Sequence, residues 1–116
     1  FISPYILHAK LQFGRRRPDT YGIQPTIMVP DHPAYPSGHA TQAHALAKVA
    51  SCLHPARSDE FKRMADAIAL HRVQAGVHYP SDSVAGELLA DQLACATLQH
   101  LHDRDFIPAR CLCQQE

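Results

Sequence analysis

The sequence predicts an all-α fold, a bundle of about four main helices, on three observations. No run alternates apolar and polar residues over the length of a strand. Apolar residues recur at helical offsets in separate segments, and cap residues, proline and glycine punctuate those segments. Ser3-Pro4 begins the first helix, with serine as cap and proline at the first helical position. Gly14 ends it, which gives a helix over about 4–13 with Lys10 in its last turn. Residues 18–36 hold Pro18, Pro25, Pro30, Pro33, Pro36 and Gly22, which excludes regular structure from most of the stretch. Loops of this length in a compact domain are usually functional or mobile, and this one is read as rim and gate of a site. Ser37 caps a helix over about 38–53, whose Ala40, Ala43, Ala47 and Ala50 permit close approach of a neighbour, and Pro55 closes that segment. Ser58-Asp59-Glu60 opens the third helix with a cap and acids in its first turn. Phe61, Met64, Ala65, Ile68 and Arg72 then fall on one face, which carries Arg72 inward with the core, where a cation needs an anion. Gly76 breaks that helix. Pro80-Ser81-Asp82 begins the last, about 81–101, with Val84, Leu88, Leu89, Leu93, Ala96 and Leu101 among its apolar positions. The helical domain thus covers 1–102 and an irregular tail covers 103–116.

With 116 residues the chain is one domain at most. Its 11 basic and 11 acidic residues balance, which argues against a general nucleic-acid or anionic-membrane binder. No apolar run approaches the roughly 18 to 20 residues that span a bilayer. The chain opens at Phe1, not Met, and the expectation is a segment of a longer protein whose N-terminal helices lie outside it. Cys52 and Cys95 fall inside predicted helices and read as buried small apolar residues. Cys111 and Cys113, one residue apart in the tail, read as structural or incidental.

Three blocks carry the chemistry: Lys10-x6-Arg17-Pro18, Pro36-Ser37-Gly38-His39, and Arg72-x5-His78-x3-Asp82. Lys10, Arg17 and Arg72 offer charge-assisted donors to a tetrahedral oxyanion, and arginine adds a fork that lysine lacks. Gly38 lets the backbone approach such an anion, and a helix opening at Ser37-Gly38 points free N–H groups at it. His78 and Asp82, four apart, are neighbours on a helical turn. The carboxylate can accept from one imidazole nitrogen while the other keeps its lone pair for substrate. His39 is the second imidazole, suited to give a proton to a leaving oxygen near neutral pH. Each block has an ordinary reading as basic cluster, turn or helix start. Arg15 and Arg16 keep the reading of a solvated basic cluster, whereas Arg17, set between Lys10 and Pro18, leaves it. His8, His54, His71, His100 and His102 are assigned to surface or packing. A metal site from His32, His39 and His44 lacks an acidic or cysteine partner at a recognised spacing, and no metal is assigned.

These blocks, in this order over residues 10–82, resemble the signature of the superfamily joining type 2 phosphatidic acid phosphatases, bacterial acid phosphatases and vanadium haloperoxidases. One position departs from it: His71 stands where the family usually has serine. The resemblance implies that this helical bundle is the C-terminal part of a larger one. It further implies that Lys10, Arg17, Arg72, Ser37 and the Gly38 amide hold phosphate or vanadate, that His78 attacks phosphorus or ligates vanadium, that Asp82 orients His78, and that His39 is the general acid and base. The phosphatase, hydrolysing monoesters through a phosphohistidine with no cofactor, is the first reading. The 32 residues between His39 and Arg72, two short helices and a turn, look like the bacterial phosphatases. His32, seven residues before His39, resembles a histidine near the metal in bromoperoxidases and supports the alternative, with vanadate on His78. A catalytically silent anion-binding fragment is the third. The partners expected are a small phosphorylated substrate or inorganic oxyanion, a second copy, or absent parts of the parent chain, and the resemblance favours a periplasmic or secreted setting.

Overall fold

The computed structural model describes residues 3–114; Phe1, Ile2, Gln115 and Glu116 lie outside the described residues, and with them the reading made from Phe1. Four helices carry the fold: α1 Ser3–Phe13, α2 Gly38–Leu53, α3 Ser58–Gln74 and α4 Pro80–Asp103, with no strand among the described residues. Single 3-10 turns lie at Pro18–Tyr21, Pro55–Arg57 and Ala109–Cys111.

The capping chemistry accounts for the boundaries. The Ser37 hydroxyl accepts from Ala40 N (3.2 Å), which fixes the first turn of α2. Pro80 stands at the first position of α4, and the Asp82 carboxylate reaches back to accept from Tyr79 N (2.8 Å). The chain turns between α3 and α4 at Gly76, whose φ of +81° a side chain would strain. The third helix opens one residue earlier than a serine cap implies, since Arg57 is the capping residue and Ser58 already lies inside.

The centre is built from small side chains. Gly86, Ala90, Ala94 and Leu98 form a buried stripe on α4, and it meets Ala40, Thr41 and Ala45 of α2, with Ala45, Ala90 and Ala94 as the core. Helix α2 packs against both α3 and α4, while α1 touches α2 only lightly. A Cβ on Gly86 would stand 2.8 Å from Ser37 O and 3.1 Å from Ala40 Cβ, so this glycine sets how closely α4 lies on the start of α2. The inward face expected for α3 is corrected. Met64 and Ile68 are 56% and 42% exposed along a shallow groove, and the buried positions are Ala65 and Ala69. The reason is that α2 offers alanines there, so α3 approaches by its own alanine stripe and turns the larger residues outward.

The cysteine reading is also overturned. The tail folds back along the bundle and joins Cys111 to Cys52 and Cys113 to Cys95 in two disulfides, with Cα atoms 5.2 and 5.6 Å apart. No free cysteine remains among the described residues. A helix position facing the bundle is as suitable for a cross-link as for a buried thiol, and only the path of the tail distinguishes them.

Two outcomes follow from this packing. Gly86→Ala gains about 1 kcal/mol of helix propensity but drives a methyl group into backbone, so a net loss of roughly 1–3 kcal/mol is expected in denaturant unfolding. A variant as stable as the parent would show that α4 can move off Ser37 freely. Reduction should lower the melting temperature, since separations of 59 and 18 residues correspond to about 3–4 kcal/mol for each cross-link. A melting curve indifferent to reductant would mean that the tail is not joined as described.

Candidate active site

The three sequence blocks meet at one cavity of about 560 Å³. Lys10 reaches it from the last turn of α1, Arg17 and His32 from the long loop, Gly38 and His39 from the start of α2, Arg72 from the end of α3, and His78 from the turn before α4. Pro4, Ile6, Leu7 and Pro30 add an apolar wall, and Gln42 also faces in. Asp82 and Ser37 stand behind the lining, both with no solvent exposure. Ser37 is therefore a capping residue at the base of the site, and the Gly38 end of its turn is what reaches the cavity. A Cβ on Gly38 would meet Lys10 Cε at 3.7 Å, an ordinary contact, so close backbone approach does not by itself require glycine there.

His78 is oriented from both sides. Arg17 Nη1 donates to His78 Nε2 (2.9 Å), and a guanidinium has only donors, so Nε2 carries the lone pair and Nδ1 the proton. Nδ1–H then donates to Asp82 Oδ2 (3.1 Å). Burial pushes the His78 imidazole below its ordinary value, and Asp82 opposes that shift without reversing it. Burial alone would raise Asp82, but hydrogen bonds from His78, Tyr79 N and Arg15, together with the positive charge on His78 when protonated, hold it below the usual carboxylate range. A neutral imidazole beside an ionised carboxylate results.

The cations differ in how their donors are used. Arg17 is 5% exposed and donates through Nε to His32 O (3.0 Å), Nη1 to Val77 O (3.0 Å) and Nη2 to His32 Nδ1 (3.1 Å), which fixes the long loop against the turn at His78. Lys10 donates to Pro33 O (2.8 Å), one of its three donors. Arg72 Nε is buried with no hydrogen-bond partner among the described residues. A buried orphan donor is uncommon and costs roughly 1–3 kcal/mol. Lys10 is pulled down to about 8, first by burial and then by Arg17. His39, exposed at the mouth, is also lowered, by burial and then by Arg72, Lys10, Arg17 and His32. An anion placed among these groups would oppose each of these shifts.

One residue was passed over. Arg15, read as solvated, donates from Nη1 to Asp82 Oδ1 and to Ser81 Oγ, each at 2.7 Å. Its neighbour Arg16 is exposed as expected. No sequence signal separates the two, because the partners of Arg15 lie 66 and 67 residues away. His71 is exposed, and His44 stands apart from His32 and His39, near Asp66 and Glu87 on the other side of α2.

Residues 1–105 match the PAP2 superfamily. A lipid A 1-phosphatase of Rhizobium etli is 36% identical over 83 residues, which are 66% of this chain and 36% of that protein. A lipid A 1-phosphatase of Rhizobium johnstonii is likewise 36% identical over 83 residues, 34% of its length. The chain thus spans about a third of the length of these curated relatives.

The Lys10 shift gives a signed expectation. The ammonium is present below about 8 and lost above it, so affinity for sulfate, an anion of constant charge in this range, should fall as pH rises through 8. Lys10→Met should bind sulfate roughly ten- to hundredfold more weakly at neutral pH and lose that inflection. Titration calorimetry between pH 6 and 9.5 checks it, and a flat wild-type profile would mean that Lys10 takes no part in binding the anion.

Proposed function

The chain belongs to the PAP2 superfamily, and on that footing we propose that it acts as a phosphatase, hydrolysing phosphate monoesters through a phosphohistidine at His78. The observation that carries this reading is the conjunction at one cavity of a neutral His78, its lone pair facing inward, with Lys10, Arg17 and the unpartnered donor of Arg72. A phosphoryl group among those cations meets the charge it needs, and stabilisation of that kind dominates phosphoryl transfer.

In the first step the Nε2 lone pair of His78 forms the N–P bond while the ester P–O bond breaks in line. His39 gives its proton to the departing oxygen. After burial, the same cations lower His39, and bound phosphate offsets their charge, so substrate binding favours the protonated imidazole. Arg17 Nη1, which donates to Nε2, must turn to a phosphoryl oxygen as attack begins, a shift of one donor between two acceptors within the site. In the second step a water gives its proton to His39, attacks phosphorus and releases His78. Asp82 keeps the Nδ1 proton in place throughout and stabilises the positive charge that His78 carries as a phosphohistidine.

The same side chains would hold vanadate, since its geometry resembles the transferring phosphoryl group. The names of the relatives favour hydrolysis. The apolar wall of Pro4, Ile6, Leu7 and Pro30 suits a phosphate attached to an apolar body, and the lipid A 1-phosphatases bear the same class of substrate in their name. The two disulfides suit an oxidising compartment, where such bonds persist.

Rapid-quench labelling with a phosphate monoester should trap an acid-labile, base-stable phosphoenzyme. His78→Ala should abolish it and lower turnover of p-nitrophenyl phosphate by more than about a thousandfold. Orthovanadate should inhibit competitively. Turnover by His78→Ala at the parental rate would remove the nucleophile, and vanadate-dependent bromide oxidation would establish the haloperoxidase instead.

A further inference from the structure

Beyond the groups that line the cavity, Arg15 occupies a position that a solvated arginine does not. Its backbone carbonyl accepts from Ala34 N (2.8 Å), and its guanidinium lies over the Tyr35 ring at 4.6 Å and beside the Tyr79 ring at 5.6 Å. From there Nη1 reaches Ser81 Oγ and Asp82 Oδ1. Three stretches of chain distant in sequence, around residues 15, 35 and 80, are joined through this one side chain. Two faces of aromatic ring and two oxygen acceptors leave a guanidinium little freedom.

The consequence lies in Asp82. Its Oδ2 accepts from both His78 Nδ1 and Tyr79 N, and its Oδ1 accepts from Arg15, so the carboxylate plane is set by contacts on both oxygens. Without a donor on Oδ1, the carboxylate can rotate about its Cβ–Cγ bond and exchange oxygens. Arg17 also holds this tautomer through Nε2, but once it turns to a phosphoryl oxygen Asp82 is the remaining hold, and without the clamp His78 then loses its fixed partner on Nδ1. The other charged or titratable groups facing this pair are Lys10 of α1, Arg17 and His32 of the loop, His39 of α2 and Arg72 of α3, and of these only Arg17 bonds to either residue. None of them bonds to Oδ1, which Arg15 holds.

We propose that Arg15 is a positioning residue for the phosphoryl-transfer step, clamping Asp82 so that His78 is held as the Nδ1–H tautomer with Nε2 aimed into the cavity. The proposal rests on the phosphatase reading for its catalytic consequence. Its structural content, the tautomer of His78, stands apart from it.

Both parts are measured on the full-length protein, with Arg15→Gln and Arg15→Lys. With inorganic phosphate bound, so that Arg17 has turned from Nε2, imidazole ¹⁵N shifts of His78 should report one tautomer in the parent, a mixture in Arg15→Gln and mainly one in Arg15→Lys. With p-nitrophenyl phosphate as probe, Arg15→Gln should lower kcat roughly 10- to 100-fold, the scale of a displaced reacting group. The inhibition constant of inorganic phosphate should change less than about twofold, because Lys10, Arg17 and Arg72 are untouched. Arg15→Lys should recover most of the loss. A single tautomer and unchanged kcat in Arg15→Gln would overturn the proposal. So would a loss that appears equally in phosphate binding, which would make Arg15 a substrate ligand, or a lysine variant no better than glutamine. Should Arg15→Gln fail to fold, Arg15→Lys decides alone, with one tautomer supporting the clamp and a mixture sinking it. If the parent protein does not hydrolyse the ester at all, the phosphatase reading fails while the tautomer measurement still judges Arg15.

Discussion

A carboxylate wholly removed from solvent governs the geometry of this molecule. Asp82 has no exposed surface, so its charge has to be met by donors on both oxygens, and the donors come from His78, from the backbone at Tyr79 and from Arg15. Its main-chain carbonyl accepts from Ser37 N (3.0 Å), which ties the start of α4 to the turn that opens α2. One residue therefore caps its own helix, orients an imidazole and joins two of the three sequence blocks. Breaking any of these contacts leaves a buried charge or a buried amide unsatisfied, so each protects the others.

The small-residue core serves the same end. A bundle of leucines would hold α2 and α4 too far apart for Ser37 N to reach Asp82 O. Gly86, one turn along from Asp82, and Ala40, one turn in from Ser37, remove the side chains that would intervene. Close packing at this end is thus a geometric requirement of the site as well as a source of stability. The larger apolar residues, Met64, Ile68, Val84 and Leu88 among them, are left facing outward.

Much of this was legible in the sequence. Ser37, Pro55, Gly76 and Pro80 mark where backbone conformation must change, so the ends of α2 and the break before α4 followed from local chemistry. The blocks that resemble the superfamily signature named the groups that line the cavity, because charge, imidazole and glycine at fixed offsets are seldom needed for packing. What escaped was tertiary in origin. Arg15 and Arg16 are equivalent until the fold brings Asp82 to one of them. Met64 and Ile68 match a helical stripe as well as Ala65 and Ala69 do, and only the alanine face of α2 selects between the stripes. The cysteines pair through the course of a tail that has no periodicity to read.

Those cross-links stand at the far end of the bundle. Cys52 lies 14 residues beyond Gly38 on α2 and Cys95 lies 13 beyond Asp82 on α4, about 20 Å along each helix axis. The architecture is consequently bipolar: covalent fastening at one pole, ionic and imidazole chemistry at the other, with two alanine-rich rods between them. Tethers or surface attachment at the fastened pole, made through residues other than the four joined cysteines, can be introduced without steric intrusion on the cavity.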